Sequence, residues 1–507
     1  MALPLERALA GDLTLLNRLA ESALPAPYTI PFKVPYEIKP VRSDASTDYF
    51  RVSMEPFVAE VVPGLQTPLW GYNGMVPGPT FRVSRGRQAV VRMINNLPPV
   101  HPDLDYVPWT SVHLHGSASL PQYDGYASDI SNPGQYKDYR YPNSQVARTL
   151  WYHDHGLGHT AQNVYQGLAG QYIVHDELEQ TLPIPHGYYD VPLTVSDMMF
   201  QSNGKLLFTT NDDDGFYGDV IAVNGRPWPV MKVARRKYRF RILNASVSRG
   251  YQWYLDDGSP MTVIGTDGGL MPVPRQVTSL RHGVAERYEV IIDFSRYAPG
   301  ARVKLRNRSP KNNLRFTNTH EVMAFDVTDE PFDPAGNTIP TRLNPNMRVM
   351  KVQESESVAD RVFDLKRQNG QWTINGTTWE DVVHSGFSKT LADPEADSVE
   401  VWEFRNDSGG WNHPMHVHFV DFRVLSRNGR PPKPHERGPK DVVYVGEHER
   451  VRVLVPFDYG RGKYMMHCHN LVHEDHDMMA QFEIVNDAYP GDDPFSDRAR
   501  NLPEDLL

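Results

Sequence analysis

Three stretches of the chain alternate apolar and polar residues with a period of two, and each follows an Asn-Gly pair. The pairs are Asn73-Gly74, Asn224-Gly225 and Asn375-Gly376, equally spaced along the sequence. The first leads into GPTFRVSRGRQAVVRMINN and the second into RPWPVMKVARRKYRFRILNA. The third, after a longer insertion, leads into SVEVWEFRND. The runs end at Asn95, Asn244 and Asn406. Successive side chains on a strand point to opposite faces, so this alternation predicts strands with one face buried. The dipeptides mark turns, and the matched strand after each one carries the weight. One unit copied three times is expected, and with it an all-β chain of three Greek-key β-sandwich domains. The divisions fall at 1–178, with an N-terminal arm; 179–340, with the linker TDEPFDPAGNTIPTRLNPN at its end; and 341–507, with a C-terminal tail.

Ahead of the first repeat, Leu5, Leu9, Leu13 and Leu16 recur at helical spacing and predict a short amphipathic helix packed on the body. Glu6, Arg7 and Asp12 interrupt the apolar core that a secretion signal needs, so no signal is visible. A cytoplasmic and a cell- or spore-associated location both stay open. The proline-rich PAPYTIPFKVPYEIKPV that follows reads as extended. A chain of 507 residues, 40% hydrophobic and 22% charged, can bury several cores. Its 42 prolines and 37 glycines suit many turns between short strands. The net charge of -10 gives no electrostatic case for nucleic acid. No apolar run approaches the roughly 18–20 residues of a membrane span.

The chemistry is concentrated in histidine. Four short clusters stand out among the 20 histidines: His113-Leu114-His115, His153-Asp154-His155, His413-Pro414-Met415-His416-Val417-His418, and His467-Cys468-His469 with His473 beyond it. Two lie in the first repeat, two in the third and none in the second. Residues i and i+2 share a strand face. Thus His113 pairs with His115, His153 with His155, and His416 with His418. In His467-Cys468-His469 the two rings point one way and the thiol the other. Cys468 is the only cysteine, so an intramolecular disulfide is excluded. A soft thiolate, two imidazoles and a distant thioether make a mononuclear electron-transfer copper site. His413, Cys468, His473 and axial Met478 supply it, with Met479 the competing thioether. Pro414 is expected to break the phase between His413 and His416, turning His413 to the cysteine side. Eight histidines remain, four from each of the outer repeats, and suit a three-copper cluster at the interface of the first and third domains.

These four motifs resemble those of the multicopper oxidases, over nearly the whole chain. The segments Gly410-Trp411-Asn412-His413-Pro414 and HCHNLVHEDHDMM are most similar to the bilirubin oxidases, with bacterial spore-coat laccases close behind. The resemblance implies three cupredoxin domains and four copper ions. It places His113 and His416 on the type 2 copper. His115, His153, His155, His418, His467 and His469 would hold the type 3 pair, and the mononuclear site is type 1. The implied reaction takes single electrons from phenols, aromatic amines or bilirubin-like tetrapyrroles at the edge of His473 or His413. Cys468 and its neighbours carry them onward, and O2 is reduced to water.

Water formation needs protons. Asp124 and Glu474 are the candidates to relay them or to orient ligands, a role that acidic residues matching both positions have in related laccases. Asp154, between two ligands, should point away and serve structure. Trp411 is the candidate substrate contact. Since one chain contains the whole ligand set, a monomer is expected. A cuprous or manganous ion oxidase is the alternative, but the 17 methionines are dispersed. A non-catalytic copper-storage or coat protein is less favoured, given a complete ligand set.

Overall fold

The strands pair into six sheets, two for each repeat. The structure, a computed structural model, describes residues 17–209, 214–311, 313–458, 460–486 and 493–503. The predicted helix over Leu5 to Leu16 lies outside these residues. The first pair of sheets uses strands between residues 42 and 175, with Arg500–Asn501 added at one edge. The second uses strands between 190 and 327, and the third between 359 and 484. The architecture is the all-β, three-sandwich arrangement that the alternation predicts. Among the described residues no helix is long and apolar enough to cross a membrane.

The repeats are built alike down to single hydrogen bonds. In each, a first strand runs parallel to the alternating strand: Thr47–Ala59 beside Gln88–Asn95, Asp190–Met198 beside Lys237–Asn244, and Ala359–Gln368 beside Val399–Asn406. The asparagine of each Asn-Gly turn is left-handed, with φ of 55, 51 and 53°. Its side-chain oxygen accepts from the backbone of that first strand, at Ser53, Thr194 and Asp364 respectively. The asparagine ending each alternating strand also repeats its role. The Oδ1 atoms of Asn95, Asn244 and Asn406 accept from the backbone N–H two residues on, at Leu97, Ser246 and Ser408. Their amides donate to loop carbonyls, such as Ser131 for Asn95, Arg249 for Asn244 and Gly446 for Asn406. A buried amide left unpaired is costly, so these asparagines clamp the loops that leave each sandwich.

Each sandwich has an apolar centre, with Tyr152 in the first, Trp253 in the second and Trp402 in the third. The middle core extends beyond its own repeat. It takes in Trp151 and Val164 from the first and Leu471 and Val472 from the third, so the sandwiches share apolar surface. A second link is ionic: Arg82 of the first sandwich lies 3.1 Å from Asp190 of the second, where the buried Arg239 and Arg241 pair with Glu179, Asp190 and Glu289. The proline-rich arm is extended as expected. Phe32 donates to Val230 of the middle sandwich and Ile38 to Thr80 of the first.

Candidate metal centres

Strand register sorts the ligands onto two faces. Val112–His115 pairs antiparallel with Arg148–Asp154, so that His113 faces His153. His413–Val417 pairs with Gly462–Cys468, which sets His416 opposite His467 and Met415 opposite Cys468. His413 therefore reaches the cysteine side by simple alternation, three residues before His416 on one continuous strand. The expectation that Pro414 breaks the phase is wrong. An odd spacing already places the two rings on opposite faces.

On the cysteine face, Cys468 Sγ lies 3.3 Å from His413 Nδ1 and 3.6 Å from His473 Nδ1, and the two nitrogens are 3.2 Å apart. All three side chains are buried. Burial pushes the thiol up and holds His413 down at about 3. Met478 is fully buried in the same apolar cluster as Cys468, whereas Met479 packs with Tyr126 and Met465 in another. That separation favours Met478 as the thioether neighbour. The outer edges of both rings are capped. His473 Nε2 donates to the Asp214 carbonyl, 3.1 Å away, and His413 Nε2 lies 2.8 Å from Ser408 Oγ. Trp372, which sequence reasoning missed, packs over His473 with ring centres 4.0 Å apart. Trp411 is edge-on at 6.3 Å, but it is only partly buried while Trp372 is fully buried.

On the opposite face the eight remaining histidines converge, all buried. Groups that can only accept fix the protons of several rings. His113 Nδ1 donates to the Asp124 carbonyl, and His416 Nδ1 to the Asp441 carbonyl at 2.8 Å. Their Nε2 lone pairs then face each other at 3.4 Å. His418 Nδ1 lies 2.8 Å from Asp124 Oδ2. His467 Nδ1 lies 2.9 Å from Glu474 Oε2 and 3.3 Å from the Cys468 carbonyl. Again the two Nε2 atoms meet, at 3.1 Å, and His155 Nε2 is also 3.1 Å from that of His467. His115 Nδ1, His153 Nε2 and both nitrogens of His469 are buried with no partner, and their rings lie 5.0–5.8 Å apart. Lone pairs facing lone pairs in a dry site repel, and an unpaired buried nitrogen costs about 1–3 kcal/mol. A cation at these points relieves both costs. Burial also lowers His113, His115, His416, His418 and His469 well below the usual histidine range. They are neutral imidazoles, the form that binds metal.

Both predicted carboxylates are at this cluster. Burial raises Asp124 well above the usual range, and its Oδ1 has no partner. Burial alone would raise Glu474 too, but His467 and His155 bring it down to about 2. Gly125, with φ of 80°, lets the Asp124 loop lie against the His113 strand, where a Cβ would come within 2.5 Å of His113 Cα. Asp154 accepts from Ser111 N and Asn163 Nδ2, away from the cluster, and serves structure as expected. Sequence reasoning also missed Asp441, whose Oδ1 is 3.1 Å from His115 Nε2. Asp441 begins the apolar run VVYV, and its charge beside a buried strand was the available signal.

Multicopper oxidase family models match residues 57–179, 175–320 and 351–488. A bilirubin oxidase of Albifimbria verrucaria is 41% identical over 94% of this chain and 88% of its own length. A laccase of Bacillus subtilis is 32% identical over 89% of this chain and 97% of its own. The crystal structure of a laccase from Pediococcus acidilactici superposes with a TM-score of 0.80 at 29% identity, covering 92% of this chain and 95% of that one.

Proposed function

The chain belongs to the multicopper oxidase family, and from that we propose that it holds four copper ions in one mononuclear and one three-copper site. It is a copper-dependent oxidoreductase with O2 as acceptor. We assign His413, Cys468, His473 and Met478 to the type 1 copper, and His113 and His416 to the type 2 copper. His155, His418 and His467 hold one copper of the type 3 pair, and His115, His153 and His469 hold the other. The observation that carries this assignment is the set of facing or orphaned imidazole nitrogens. When bound, copper supplies one-electron uptake from an organic donor and the reduction of O2 to water.

The protein's own groups do the rest. Asp214 and Ser408 hold the rings at the electron-uptake edge, and Trp372 fixes the plane of His473. The partly exposed Trp411 offers an aromatic donor a ring to stack on. By likeness to a bilirubin oxidase and laccases, the donors are phenols, aromatic amines or bilirubin-like tetrapyrroles. Asp124 and Glu474 divide the proton work. Burial raises Asp124, whose Oδ1 has no partner, while His467 and His155 lower Glu474, which lies 2.9 Å from His467 Nδ1 and steadies that ring. Every assigned ligand comes from one chain, so a monomer suffices. Copper content with spectra, followed by O2 uptake with a phenolic dye, bilirubin and cuprous ion, tests the assignment. Four coppers, a blue band and organic-donor turnover are expected. A fully loaded protein that consumes no O2 with any donor refutes it.

A further inference from the structure

We propose that Arg287, in the sandwich that carries no ligand, is a positioning residue for the histidine cluster: it holds the Asp441 carboxylate against His115 Nε2, so that this ring keeps its proton there and offers Nδ1 as the ligand atom. The inference rests on the copper reading of the histidines above.

Arg287 is fully buried and grips Asp441 with both ends of its guanidinium, Nη1 to Oδ1 at 2.6 Å and Nη2 to Oδ2 at 2.5 Å. Its Nε donates to the Thr149 carbonyl of the first sandwich. Asp441 itself belongs to the third. One arginine side chain thus joins three domains beside the cluster, by an ion pair to the third and a hydrogen bond to the first. Asp441 then uses two acceptors on two rings: Oδ1 lies 3.1 Å from His115 Nε2, and its carbonyl takes His416 Nδ1 at 2.8 Å. Those rings stack with centres 3.6 Å apart. Because a carboxylate oxygen only accepts, His115 must donate from Nε2, and its unpartnered Nδ1 carries the lone pair.

The surroundings are shaped for this pair. Gly116 follows His115 with φ of 86°, and a Cβ there would fall 2.5 Å from Asp441 Oδ2 and 2.6 Å from Arg287 Nη2. Lys440 Nζ lies 2.9 Å from both Asp267 and Glu286, which anchors the residue before Asp441 to the middle sandwich. Asp124 and Glu474 steady other rings from within the ligand-bearing domains, whereas this support comes from outside them. A planar guanidinium fixes the tilt of a carboxylate, and a lysine ammonium at the same place would not.

The test compares the copper-loaded protein with Arg287→Lys and Arg287→Met. Three readouts are copper retained against a graded chelator, the blue absorption of the Cys468 site, and the melting temperature of the copper-free chain. The proposal expects the blue absorption to persist while cluster copper is held about 10–100-fold more weakly, the range usual for a lost outer partner of a metal-bound histidine. The loss should be larger in Arg287→Met. A lower copper-free melting temperature with wild-type copper retention makes Arg287 an interdomain tie only and overturns the proposal. Parallel loss of both sites overturns it as well. If Arg287→Met does not fold, Arg287→Lys decides alone, and unchanged retention there is again fatal. Failure of the wild-type chain to take up cluster copper is a separate result, and it overturns the copper reading itself.

Discussion

His418 and His467 face each other with Nε2 atoms 3.1 Å apart, while each ring's other nitrogen sits against an acceptor, Asp124 or Glu474 and the Cys468 carbonyl. Where both outer nitrogens carry the protons, the two Nε2 lone pairs meet, and a cation between the rings relieves their repulsion. This juxtaposition ties the acidic residues to the metal site more firmly than their spacing in the sequence does.

Cys468→Ser removes the one thiolate. The strand register that places residue 468 is a backbone property, so the fold should persist. The blue absorption should vanish and one copper per chain should be lost, as read by visible and metal analysis. Survival of the blue band would show that the sulfur ligand lies elsewhere.

Glu474→Gln keeps the shape beside His467 and removes the anion. Oxygen consumption should slow by about 10²-fold, the lower range for a lost acid–base group, with copper content close to wild type. Rapid-mixing measurement of reoxidation by O2 checks this. Unchanged reoxidation removes Glu474 from the proton path.

Asn244→Ala tests the repeated clamp away from the metal. It leaves Ser246 N–H and the Arg249 carbonyl without their side-chain partner. A cost of about 1–3 kcal/mol is expected, and denaturant unfolding measures it. Turnover of the folded fraction should stay unchanged.

The buried ion cluster of the second sandwich, tied to the first through Arg82, predicts a pH effect with a definite sign. Burial alone would raise Glu179 and Asp190, but His175, Arg239 and Arg241 pull Glu179 down, and Arg241, Arg239 and Arg82 pull Asp190 down, well below their ordinary values of 4.5 and 3.8. The unfolded chain therefore binds protons more readily. The stabilisation is present above those ordinary values and is lost as pH falls below them, toward the folded ones. The melting temperature should drop on acidification through about pH 4.5. In Arg241→Met, which strands buried carboxylates at a cost of about 3–5 kcal/mol near neutrality, the drop should be shallower. An equally steep acid profile in that variant would place the acid sensitivity in other groups.

Alternation and spacing were enough to read the three sandwiches and the two faces of the ligand strands, because strand parity is local. His113, His416 and His467 fall where parity sends them. Trp372, Asp214 and Arg287 were not legible, and Asp441 showed only as a charge at the head of an apolar run. Trp372 lies 101 positions from the ring it covers, and Asp214 and Arg287 belong to a sandwich with no ligand motif. Trp372 meets His473 within one sandwich but through a long-range contact, whereas the roles of Asp214, Asp441 and Arg287 arise only when the domains dock. At Pro414 no special cause is needed, since alternation along one continuous strand already sends His413 and His416 to opposite faces.

The register that sets Met415 opposite Cys468 and His416 opposite His467 has one more consequence. Sliding either strand by a single residue would exchange its two faces. A slip of Gly462–Cys468 would carry the thiol into the imidazole cluster, a slip of His413–Val417 would carry His413 there, and in both cases neither centre would be complete. Correct pairing and the ability to take up metal are thus the same condition, and colour reports on assembly. On the proposed copper assignment, a mispaired chain would stay colourless after metal is added, so the blue band would count the correctly paired molecules.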